Sequence, residues 1–226
     1  MHTKLVIRRK RVLPELNAAS LALPAIITLL VFMVALVAQQ SSGIKLGTLT
    51  EDAGTQVDNA WFVGLISTIG ICLLAGSAAL GFFAGNFRKR IQGGPRKTSA
   101  LMWLSLCSFL LLADDALMIH ETLSQMVPYL PEAAIQASIG FLIIATLLIF
   151  HRAIGPSFIY AAPALLCWTL SVCADMLPAD GNAAIILVED GTKFLGIVLW
   201  FTFIHDLATR YFLTLQANQT LQSSRS

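Results

Sequence analysis

Charge is scarce in this chain. Asp, Glu, Lys and Arg supply 12% of its 226 residues, hydrophobic residues supply 56%, and the mean hydropathy is +0.74. A soluble domain carries about 25% charged residues, so the composition argues against a soluble globular protein and for a membrane protein. Cysteine is sparse too. Cys72, Cys107, Cys167 and Cys173 all fall in apolar runs, and no two form a C-x-x-C pair. That removes the usual thiol signatures of redox chemistry or zinc binding, and each cysteine reads as a small apolar side chain. No internal repeat is present, so the duplicated architecture of many transporters has no support.

Long apolar runs fill most of what is there. Residues 20–39, 60–84, 99–121, 133–151 and 157–177 each approach or exceed the ~20 residues needed to cross a hydrocarbon core. A sixth run, 183–207, is long enough but carries Glu189, Asp190 and Lys193. The prediction is an all-α integral membrane bundle of six transmembrane helices. It forms one domain over 20–212, after a basic arm (1–19) and before a polar tail (213–226). The first run starts with Arg8-Arg9-Lys10-Arg11 and then continues apolar for about 18 residues, longer than the h-region of a signal peptide, so it reads as an uncleaved helix.

The basic residues are distributed unevenly. Lys4, Arg8, Arg9, Lys10 and Arg11 precede the first run. Arg88, Lys89, Arg90, Arg96 and Lys97 lie between the second and third, Arg152 between the fourth and fifth, and Arg210 and Arg225 after the sixth. Those are thirteen of the fifteen, all on one side of a six-crossing topology; Lys45 and Lys193 are the other two. The positive-inside rule then predicts cytoplasmic N- and C-termini in a bacterial inner membrane. Topology accounts for the basic runs, and nucleic acid is not expected as a partner. Trp61, Trp103 and Trp200 fall near predicted helix ends and read as interfacial aromatics. Gly81 and Gly85 invite close approach of a second helix of the same chain.

The scarce charges inside the apolar runs are the chemical signal. A charged side chain near the centre of a membrane helix costs roughly 2.5–3.5 kcal/mol. Asp114, Asp115, His120 and Glu121 end the third run, Asp175 ends the fifth, and Glu189, Asp190 and Lys193 open the sixth. In the predicted topology all three groups share one depth, in the outer leaflet. On an unbroken helix Asp114 and Glu121 lie about 20° apart, with Asp115 about 100° to one side and His120 about 120° to the other. Glu189 and Lys193 form a favourably oriented i,i+4 pair. Six carboxylates around one ammonium cannot all remain ionised in a low dielectric. Either a cation binds or several of the acids hold protons.

Three functions remain open on these residues. The first is a metal-dependent membrane enzyme acting on a lipid-like substrate. Its ligands come from Asp114, Asp115, His120, Glu121, Asp175, Glu189 and Asp190, and its catalytic groups are Asp114, Glu121, Glu189 and Lys193. Mixed imidazole and carboxylate donors suit a divalent metal such as zinc, iron or manganese. The second is a proton- or cation-coupled transporter. The third is a structural or assembly subunit of a membrane complex. The expected partners are the lipid bilayer and a lipid-like or small-molecule substrate; self-association stays open.

Two short stretches carry a resemblance. Asp114-Asp115-x4-His120-Glu121 and Glu189-Asp190-Gly191-Thr192-Lys193-Phe194-Leu195-Gly196 are similar to a widespread group of uncharacterised bacterial multi-pass membrane proteins. That group shows Asp-Glu-x4-His-Glu and, later, Glu-Glu-Gly-x-x-x-Leu-Gly. The resemblance implies a shared site built from both stretches and names no chemistry. Lys193 departs from a position that is often acidic in that group.

Overall fold

The computed structural model describes residues 18–42, 46–50, 64–92, 95–127, 129–176 and 183–223. The basic arm through residue 17, the loop 51–63 with Trp61, and the turn 177–182 lie outside them. Among the described residues the chain is all helical. The helices are α1 (Ala22–Ser42), α2 (Leu46–Thr50), α3 (Leu65–Gln92), α4 (Pro95–Leu117), α5 (Ile119–Met126), α6 (Glu132–Ile149), α7 (His151–Ile154), α8 (Phe158–Asp175) and α9 (Ala183–Ser223). Short 3-10 turns precede α1 and α8.

Five stretches are long and apolar enough to cross a membrane: Ala22–Ser41, Leu65–Phe87, Ala100–Leu117, Glu132–Ile149 and His151–Asp175. They leave large apolar side chains facing outward, among them Leu29, Val34, Phe82, Phe109, Phe141, Leu148 and Leu166. Such a girdle is the outer surface expected where lipid rather than water is the solvent.

The 41-residue α9 is different. It packs against α1, α2, α3, α4 and α8, and Ile197, Val198, Leu199 and Trp200 are all buried in succession. A turn buried on every side marks α9 as central. The charged residues Glu189, Asp190 and Lys193 lie before that turn and are half-buried. Below that turn the main core joins Leu74, Leu101, Leu104, Leu147, Ala161 and Phe203 from five helices. A second cluster at the other end of α9 joins Phe32, Leu49, Ile66, Phe194 and Val198.

Small and hydroxyl residues set the closest contacts. A Cβ on Gly81 would stand 3.2 Å from Ser105 Cβ, and one on Gly85 3.1 Å from Met102 Sδ, so this glycine pair seats α3 on α4 of the same chain. Ser105 Oγ donates to the Ala78 carbonyl at 2.5 Å across the same seam. Trp200 is not interfacial as its position in the sequence suggested. It is wholly buried, its indole N–H donates to Ser108 Oγ at 2.9 Å, and Trp168 packs on it with ring centroids 5.4 Å apart. The helix end that would have exposed it does not exist, because α9 runs on to Ser223. The first eleven residues of the polar tail, 213–223, continue that helix. No glycine or proline interrupts 197–223, Leu215 is buried, and the Arg210–Asp206 pair at 2.8 Å spans one turn.

Candidate metal centre

The third apolar run is not one helix. It breaks at Met118, whose φ of 49° and ψ of 46° lie in the left-handed region. A side chain with a Cβ sits there at a cost of roughly 1–2 kcal/mol. The break ends α4 three residues after Asp114 and starts α5 at Ile119. The ideal-helix register that paired Asp114 with Glu121 therefore does not carry across.

The break is held by Asp114. Its Oδ1 accepts the His120 backbone N–H at 3.1 Å, satisfying one of the donors a helix start leaves unpaired. The same oxygen lies 3.0 Å from His120 Nδ1. With Nδ1–H donating there, the lone pair of Nε2 is left pointing the other way. What it meets is carboxylate: Glu132 Oε1 at 3.5 Å and Glu121 Oε1 at 4.0 Å. One ligand atom from each of His120, Glu121 and Glu132 lies within 4.8 Å of the others. The His120 and Asp114 side chains are 14% and 15% exposed, those of Glu121 and Glu132 36% and 43%. The buried half orients the imidazole and the open half gives access.

These charges act on His120. Its pKa is raised above the ordinary 6.5, first by the hydrogen bond to Asp114 and further by the negative charge of Asp114, Glu132 and Glu121, against the opposing effect of burial. Even with His120 protonated, the four groups sum to −2.

Asp115 turns to another neighbour. About 100° round α4 from Asp114, it faces α9, where Lys193 Nζ lies 2.7 Å from its Oδ1. The Asp115 side chain is 9% exposed, and its Oδ2 is buried with no hydrogen-bond partner among the described residues. Asp190 lines a small cavity with both of them. Glu189 is half-buried one turn before Lys193. Asp175 is exposed at the end of α8, and no ion pair or hydrogen bond joins it to either group among the described residues. The acids that looked like one pocket thus form two sets: Asp114, His120 and Glu121 on the α5 side, Asp115, Asp190 and Lys193 on the α9 side.

Sequence reasoning missed Glu132. It sits in the first turn of α6 behind Pro131, where an acid passes as an ordinary helix start. The available signal was its isolation, since it is the lone charged residue between Glu121 and Arg152.

A model for a domain of unknown function, DUF8692, matches residues 24–207. The chain belongs to the DUF8692 family. That match takes in both acid sets. No curated protein and no solved structure matches the chain, so the reading of this DUF8692 site rests on its own geometry.

Proposed function

We propose that this DUF8692 protein is a metal-dependent membrane enzyme whose divalent ion sits among His120, Glu121 and Glu132. In this reading α9 is a sixth crossing, both termini are cytoplasmic, and the site opens at the outer face of a bacterial inner membrane. The thirteen basic residues on one side of that topology support the orientation.

The observation that carries the metal is the carboxylate–histidine arrangement. Asp114 takes Nδ1 at 3.0 Å and leaves Nε2 facing two further carboxylates. Metal-bound histidines depend on such an outer partner to fix tautomer and ring orientation. A divalent cation would also offset the surplus negative charge. One nitrogen and two carboxylates suit zinc, iron or manganese, with positions left open for water and substrate. His120, Glu121 and Glu132 would hold the ion, which would supply an acidified water for attack on an ester or similar bond. The girdle of apolar side chains implies that substrate arrives through the bilayer, as a lipid-like molecule.

Metal analysis of the purified protein tests this. A stoichiometric divalent ion that is lost in His120→Ala is the expected result. No bound metal, and none gained on reconstitution with zinc, iron or manganese, overturns it.

A further inference from the structure

We propose that the outer groove between α3 and α4 binds one anionic phospholipid, with an acyl chain in the groove and the phosphate at the end where the two helices join. This site is independent of the metal at His120. The groove is about 560 Å³, within the range of roughly 300–1,000 Å³ found for ligand pockets. The small side chains of Ala78 and Ala79 leave the space, and Phe82, Trp103, Leu106 and Phe109 border it. Those four are all exposed, so they stand out from the helix pair instead of closing over it. The hydroxyl in the lining is already matched, since Ser105 Oγ donates to the Ala78 carbonyl. Such a lining favours a hydrocarbon chain over a polar ligand.

Charge complementarity selects what that chain is attached to. Arg88, Lys89 and Arg90 lie in the last turns of α3, and Arg96 and Lys97 in the first turn of α4. No acidic residue occurs from 59 to 113. One end of the groove therefore adjoins five basic residues on the same two helices. Basic clusters beside membrane helices attract anionic headgroups by about 1 kcal/mol per Lys or Arg. The lengths agree as well. Lys97 and Phe109 are twelve residues apart, roughly 18 Å along a helix, against roughly 15 Å for half of a hydrocarbon core. A lipid with its phosphate beside Lys97 thus lays its chain along the groove. A second copy of the protein fits less well. Two grooves facing each other in one membrane orientation would set five positive charges against five more, and like charges across an interface are costly.

The test titrates the purified full-length protein in detergent with phosphatidylglycerol or with phosphatidylcholine of the same acyl chains, and counts bound lipid by native mass spectrometry. The expected result is one phosphatidylglycerol bound about tenfold or more tightly than phosphatidylcholine. Arg96→Gln with Lys97→Gln should remove most of that preference, and it leaves Arg88, Lys89 and Arg90 to hold the orientation. Ala79→Phe fills the groove from an exposed position, away from the helix contacts, and should weaken binding of both lipids. His120→Ala should bind phosphatidylglycerol as the wild type does, which separates this site from the metal centre. Equal binding of the two lipids, or a preference that survives the double charge variant, overturns the proposal. So does binding untouched by Ala79→Phe, which would mark surface attraction alone, or a dimer that Ala79→Phe dissociates, which would give the groove to a second copy.

Discussion

Asp114 and Asp115 are chemically identical neighbours that do opposite jobs. Asp114 looks outward across a helix break, to a histidine and two glutamates that are themselves half open. Asp115 looks inward, to a lysine on the central helix α9. The first group is accessible and carries surplus negative charge, so it suits an exchangeable ligand. The second is more buried at Asp115 and pairs its carboxylate with an ammonium, so each member depends on the other. One residue of helical rotation separates a surface suited to chemistry from a charge set in the core.

The largest expected effect falls on the enclosed side. Removing one partner of a buried ion pair costs about 3–5 kcal/mol; the Lys193 side chain is 37% exposed, which lowers the expected loss for Lys193→Met to about 2 kcal/mol. Adding Asp115→Asn should recover most of it, as read by denaturant or thermal unfolding in detergent. If the double variant is no better than the single, the pair is not coupled and the contrast fails. Metal content should be untouched in either.

The mirror experiment is His120→Ala. It should abolish metal binding while lowering stability by only about 1 kcal/mol, the worth of one ordinary hydrogen bond. A loss as large as that of Lys193→Met would mean that the open side is structural.

A pH series sharpens the comparison further. His120 has a raised pKa in the fold, so in metal-free protein its stabilising contribution is complete below its ordinary value of about 6.5. That contribution fades as pH rises through the raised folded value. Asp114→Asn should move the fade to lower pH, because it removes the largest cause of the shift. Metal affinity should run the other way and increase with pH, since Nε2 must be unprotonated to bind. Thermal midpoints with and without a chelator separate the two.

The smallest effect belongs to the break itself. Met118→Gly should stabilise the protein by about 1 kcal/mol by relieving the left-handed backbone. Glycine has no Cβ to clash there.

The sequence makes the membrane class legible, because scarcity of charge and long apolar runs are properties of composition. It also marks the ionisable residues worth attention, and the 100° between Asp114 and Asp115 is read directly from helical geometry. What it hides is everything set by the break at Met118. Methionine is a good helix former, and nothing in Leu117-Met118-Ile119 signals a left-handed residue. Without that break, Glu121 looks like the partner of Asp114, and Glu132 looks like the start of the next helix. Trp200 is hidden for a related reason. Its environment depends on α9 being central, which follows from how six elements pack rather than from its own neighbours in the chain.

At 41 residues, α9 is roughly 60 Å long at 1.5 Å per residue, about twice the thickness of a hydrocarbon core. Its first turns hold Asp190 and Lys193, and its later turns hold Asp206, which accepts Ser157 Oγ at 2.7 Å from the start of α8. A rod held near its start at Lys193 and again at Asp206 links the two faces of the bundle. A shift beside Lys193 would pivot about the Asp206 contact and reach the turns beyond it as tilt.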